Sequence, residues 1–136
     1  MNLPVAHIVD PPLVGIVDDD ESIREALSSL LRSVGYKTLN FSSARQFLDF
    51  AQRGSVNCLI LDRNLPGRSG LELQARLTHA RAPIPIIFIS SEARPEFRIR
   101  ALELGALGYF KKPFSDEALL DRVRLAIKTN GCQTKE

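Results

Sequence analysis

The chain has 136 residues, 44% of them apolar and 25% charged, a balance that suits one domain whose core stands without a disulfide or structural metal. A formal charge of +2 with basic residues scattered along the chain argues against direct nucleic-acid binding. No apolar run approaches the roughly 18 residues a membrane span needs, no secretory leader is visible at Met1-Asn2-Leu3-Pro4 and the two cysteines make no metal or disulfide framework, so a cytoplasmic protein away from the membrane is expected.

Apolar runs of strand length alternate with amphipathic stretches of helix length, the pattern of an α/β protein with a parallel sheet wrapped by helices. The first strand runs from Leu13 towards Asp18, and Ile23, Ala26, Leu27, Leu30, Leu31 and Val34 then make a helical stripe ended by Gly35. His7-Ile8-Val9-Asp10 echoes that strand, but Pro11-Pro12 follows it and cannot lead directly into a helix. Residues 1–12 therefore read as an extension. A second strand is expected from Lys37 to Phe41, with a helix capped by Ser42 or Ser43 and facing the core through Ala44, Phe47, Leu48 and Ala51.

Cys58 to Asp62 reads as a third strand, apolar until its last residue, with Cys58 buried. Pro66-Gly67-Arg68-Ser69-Gly70 is a turn before a helix carrying Leu71 to Leu77. Pro83 and Pro85 lead into Ile86 to Ile89, an interior strand closed by Ser90. A helix from Pro95 to Leu104 stops at Gly105, a short strand covers Gly108 to Lys111, and a last helix capped by Ser115 runs to about Lys128. Residues 13–128 form the expected domain and 129–136 a polar tail or linker stub. Arg94, Arg98 and Arg100 read as a solvated helix face, or as a surface that meets a protein partner.

In such a sheet, binding groups gather beyond the carboxyl ends of the strands, where strand order reverses. Here those ends carry Asp18-Asp19-Asp20, Asp62, Ser90 and, after the fifth strand, Lys112-Pro113. Asp20 is best explained as a turn former or helix N-cap. Asp18, Asp19 and Asp62 have no such structural use together. At about 4 Å and an effective dielectric near 20, each pair of carboxylates costs on the order of 4 kcal/mol, a repulsion that a hard cation with oxygen ligands relieves. Mg2+ suits this role, since it keeps waters that a phosphate can replace, and Mn2+ is a possible substitute. Asp62 is then a candidate nucleophile towards phosphorus, with Lys112 and the Ser90 hydroxyl as ligands of the phosphoryl oxygens.

Four motifs in order carry a resemblance. They are Ile16-Val17-Asp18-Asp19-Asp20-Glu21, then Leu59-Ile60-Leu61-Asp62-Arg63-Asn64-Leu65-Pro66-Gly67-Arg68-Ser69-Gly70, then Phe88-Ile89-Ser90-Ser91, and Gly108-Tyr109-Phe110-Lys111-Lys112-Pro113-Phe114. The stretch from Leu13 to Lys128 resembles the receiver domain of bacterial two-component response regulators, nearest in wording to the FixJ-like branch. The resemblance implies a doubly wound, flavodoxin-like fold of five parallel strands in the order 2-1-3-4-5 flanked by five helices. It implies a phosphoacceptor signalling protein, not an enzyme, that catalyses only its own phosphorylation and dephosphorylation.

In that family's terms, a phosphohistidine on a sensor histidine kinase donates to Asp62. Asp19, Asp62 and the Asn64 backbone carbonyl hold Mg2+, with Asp18 acting through water. Ser90 and Lys112 bind the phosphoryl group. Ser90 and Tyr109 form the switch that reshapes the surface of the fourth helix, fifth strand and fifth helix, a route to self-association or partner binding. Lys112-Pro113 is expected to be cis, an isomer that proline makes accessible at about 0.5–1 kcal/mol. Asn64 and Glu92 border the path of the hydrolytic water and resemble the pair of the chemotaxis receiver, which implies a phosphoryl group lost in seconds to minutes.

FixJ-like proteins commonly continue into a helix-turn-helix domain, so the chain reads either as a single-domain receiver or as the receiver fragment of a DNA-binding transcriptional regulator. Asp62-Arg63-Asn64 also faintly resembles the haloacid-dehalogenase phosphatases. That likeness fails, because Asn64 cannot serve as their general acid and the nucleophile here lies on the third strand. A degenerate receiver that binds without taking phosphate is opposed by the intact set of Asp18, Asp19, Asp62, Ser90 and Lys112.

Overall fold

A computed structural model describes residues 11–50, 55–64, 70–78, 84–92 and 94–135. Along the chain β1 (Leu13–Val17), α1 (Glu21–Ser33), β2 (Lys37–Phe41), α2 (Ala44–Asp49) and β3 (Cys58–Asp62) are followed by α3 (Gly70–Thr78), β4 (Ile86–Ser90), α4 (Pro95–Glu103), β5 (Gly108–Lys111) and α5 (Asp116–Lys135). The five strands form one parallel sheet in the order β2-β1-β3-β4-β5.

Alternation along each strand splits the core in two. Val14, Ile16, Cys58, Ile60, Ile87 and Ile89 point to one face and meet Leu27 and Leu31 of α1 and Leu119, Val123 and Ala126 of α5. Val17, Leu59, Leu61, Ile86 and Phe88 point to the other and meet Phe47 of α2, Leu73 and Leu77 of α3 and Ala101 of α4. With helices on both faces the interior strands need apolar residues at every position, and β3 and β4 are buried along their whole length. The Cys58 thiol sits in this interior, and burial pushes its pKa up to about 12, keeping it neutral.

Local chemistry sets the helix ends. Asp20 accepts from the Ser22 amide at 2.9 Å to cap α1, Ser43 accepts from Gln46 to cap α2, and Ser115 accepts from Ala118 at the start of α5. Gly35 and Gly105 follow α1 and α4 with φ of +101° and +102°, the left-handed conformation that ends a helix. The Lys112-Pro113 peptide is cis. One boundary differs from expectation: α5 continues through residues 129–135 to Lys135. The apolar stripe ends near Lys128, but backbone bonding adds one residue at a time without needing it, and Gly131 costs only about 1 kcal/mol against alanine. The turn expected over Pro66–Ser69, and Ala51, Pro83 and residues 1–10, lie outside the described residues.

Candidate functional site

Register carries the polar residues to one edge. Val17 pairs with Leu61, so Asp18 and Asp62 leave the sheet side by side. Asp62 pairs with Ile89 and Ser90 with Lys111, placing Ser90 and then Lys112 one step further along. β1 and β3 are the strands between which the chain reverses its order, so the carboxylates line the switch-point crevice.

Asp18, Asp19 and Asp62 each offer a carboxylate oxygen, all within 4.8 Å of one another, with Asp18 and Asp62 buried and Asp19 exposed. The Asp20 amide donates to Asp18 Oδ1 at 2.9 Å, and Arg24 donates to the Asp18 carbonyl at 2.7 Å. The Asn64 amide donates to Asp62 Oδ1 at 3.0 Å. Lys112 Nζ lies 2.9 Å from Asp18 Oδ2 and 3.7 Å from Asp62 Oδ2, so one cation bridges both buried acids. Ser90 Oγ accepts from the Glu92 amide at 3.0 Å and stands 3.5 Å from Asn64 Nδ2, which leaves its own O–H to donate.

Electrostatics follow from this packing. Burial raises the Asp62 pKa above the ordinary carboxylate value; the Asn64 amide and Lys112 oppose this, and the charges of Asp18 and Asp19 add to it. Burial alone pulls the Lys112 ammonium down, but its hydrogen bond to Asp18 and the charges of Asp62, Asp18 and Asp20 outweigh it and leave the pKa raised. The donor set also fits a hard cation, being oxygen only. Asp18, Asp19 and Asp62 would hold such an ion, which would offset the repulsion between their carboxylates.

The expected residues thus fall into two groups. Asp18, Asp19, Asp62, Asn64, Ser90 and Lys112 converge on one crevice, whereas Glu92 and Tyr109 line a neighbouring groove of about 460 Å3 between β5 and the start of α4. The Tyr109 ring packs 6.0 Å from Phe88, and its buried hydroxyl has no hydrogen-bond partner among the described residues. Two arginines escaped the sequence reading. Arg24 comes to Asp18 through the first turn of α1, and Arg63 stacks on Phe97 of α4 with its guanidinium carbon 3.3 Å from the ring centroid. Only the position of Arg63 directly after Asp62 hinted at a role.

Residues 14–124 match the family model of the response regulator receiver domain. The chain is similar to the response regulator protein TodT of Pseudomonas putida, 44% identical over 116 residues that cover 85% of this chain and 51% of TodT. It is also similar to the transcriptional regulatory protein FixJ of Bradyrhizobium diazoefficiens, 33% identical over 83% of this chain and 55% of FixJ. Among solved structures, the response regulator StyR superposes with a TM-score of 0.84 at 40% identity, over 92% of this chain and 63% of StyR. The chain therefore belongs to the response regulator receiver family, and it spans about half the length of these curated relatives.

Proposed function

We propose that this receiver accepts a phosphoryl group on Asp62 from a phosphohistidine of a sensor histidine kinase. One observation carries the reading: a buried carboxylate at the end of β3, within 4.8 Å of two others and 3.7 Å from a lysine ammonium. Asp18, Asp19, Asp62 and the Asn64 carbonyl would hold Mg2+, or Mn2+ in its stead. When bound, that ion neutralises charge on Asp62 and on the incoming phosphoryl oxygens.

An Asp62 oxygen attacks phosphorus, the P–N bond to the donor imidazole breaks, and an acyl phosphate remains on the protein. Lys112 turns from the carboxylates towards a phosphoryl oxygen, and the Ser90 hydroxyl donates to another. Phosphorylation adds about two negative charges at the end of β3, and the pull on Ser90 biases Tyr109 and the α4-β5-α5 surface, through which the chain meets a second copy or another protein. Asn64 and Glu92 tune the return reaction with water. The chain works on no other substrate. Residues 13–128 make the signalling unit, with 1–12 and 129–136 as appendages, and a cytoplasmic location belongs to the same reading; no described helix is long and apolar enough to cross a membrane.

Incubation with acetyl phosphate and Mg2+ tests the proposal. The protein gains the mass of one phosphoryl group, and Asp62→Asn or chelation of the metal abolishes the gain. Uptake by Asp62→Asn, or none by the unsubstituted protein, refutes it. A second reading of the output, control of transcription, is favoured by the similarity to the transcriptional regulatory protein FixJ. Loss of reporter regulation in cells carrying Asp62→Asn supports it, and unchanged regulation rejects it.

A further inference from the structure

Arg63 immediately follows the acceptor, yet its side chain leaves the crevice and lies on α4. Its guanidinium carbon is 3.3 Å from the centroid of Phe97, a distance at which the planar cation lies against the ring face. Arg94 approaches the same ring at 5.1 Å. The backbone of Arg63 is held too, its amide donating to the Ile89 carbonyl at 2.9 Å. Nε of Arg63 is buried without a hydrogen-bond partner among the described residues. A buried donor left unpaired indicates that stacking, not full hydrogen bonding, selects this placement.

The free end of the guanidinium then acts on Asn64. Arg63 Nη1 donates to Asn64 Oδ1 at 3.0 Å, while Asn64 Nδ2 is turned to Ser90 Oγ at 3.5 Å. Because Asn64 also donates its backbone amide to Asp62 Oδ1, its carboxamide spans the mouth of the crevice from β3 to β4. A carboxamide can present either its carbonyl or its amino end, and the guanidinium decides which: the carbonyl faces Arg63 and the amino group faces the crevice. A water attacking phosphorus needs an acceptor for one of its hydrogens. In this arrangement the acceptor end of Asn64 is turned away from it.

We propose that Arg63 is a positioning residue that prolongs the life of the phosphorylated state, its guanidinium clamped on Phe97 and holding the Asn64 carbonyl out of the crevice. The inference rests on the reading of Asp62 as phosphoacceptor. It ties the rate of phosphoryl loss to the seating of α4, since any movement that carries Phe97 away also frees Asn64.

The test loads the protein with acetyl phosphate and Mg2+, removes the donor by desalting, and follows the phosphorylated mass with time. Thermal unfolding of each variant checks that the fold is kept. Arg63→Met shortens the lifetime by about three- to tenfold, the scale of one modest hydrogen bond, and Phe97→Leu, which keeps apolar packing but removes the ring face, shortens it too. In an Asn64→Ala background, Arg63→Met has no further effect, which a merely structural role for the arginine would not produce. An unchanged or longer lifetime in Arg63→Met or Phe97→Leu overturns the inference, as does an effect undiminished in the Asn64→Ala background. If the unsubstituted protein takes up no phosphoryl group, the phosphoacceptor reading falls and this inference with it; uptake with insensitive variants sinks the inference alone.

Discussion

Along β3, Cys58 to Leu61 are fully buried among apolar neighbours, while the next residue, Asp62, is almost as buried but faces two more carboxylates. Four positions of this strand stabilise the fold by leaving water. The fifth costs stability, because an ionised group is desolvated beside like charges and only partly relieved by Lys112 and the Asn64 amide. The interior of the sheet and its carboxyl edge thus respond oppositely to truncation. A core substitution opens a cavity, whereas neutralising an acid at the edge relieves a strain that a cation or a proton also relieves.

The largest expected effect is on the interior side. Phe88→Ala empties a fully buried site between β4 and the α3-α4 layer and costs about 3–5 kcal/mol, read as a steep fall in the midpoint of thermal unfolding. Next comes cation binding at the edge. Mg2+ at about 100 times its dissociation constant stabilises the protein by about 2.7 kcal/mol, and calorimetry shows a much smaller gain in Asp62→Asn.

Asp62→Asn in metal-free buffer is expected to raise the unfolding midpoint by about 3–8 °C, the scale of one kcal/mol in a small domain. A fall instead would mean that the edge stabilises the fold as the interior does. The same comparison is sharpened by pH. With the folded pKa of Asp62 raised above 3.8, the folded state holds its proton longer than the unfolded one, so metal-free stability falls as pH rises from 3.8 through the raised value. Urea titrations across that window show the slope in the unsubstituted protein and lose this contribution in Asp62→Asn. Lys112 acts at the other extreme: its raised pKa contributes stability that is complete below 10.5 and lost as pH climbs through the folded value. The smallest effect belongs to neither region. Ser43→Ala removes the α2 cap and costs about 1 kcal/mol, with no change in the cation response.

Much of this was readable from the chain alone. The five strands, the polar residues at or just past the ends of four of them and the local roles of Asp20 and Ser115 all follow from patterns a few residues long, because burial on both faces demands unbroken apolar runs and caps are local hydrogen bonds. Family likeness supplied the strand order, and the sheet agrees with it. The extent of α5 was not legible, since its last turns lack the apolar stripe by which a helix is recognised.

Tertiary structure alone decided who meets whom at the edge. Lys112 reads in sequence as a phosphate ligand, yet in the folded chain it bridges Asp18, 94 residues away, and Asp62. Arg63 stands in sequence only as the residue after Asp62, but the approach of α4 gives it a ring to lie on and so a hold on Asn64. Residue type and local pattern determined which groups stand at the strand ends, because those depend on near neighbours. Their pairing depends on distances between elements far apart in the chain, which exist only once the sheet has closed and the helices have packed on it.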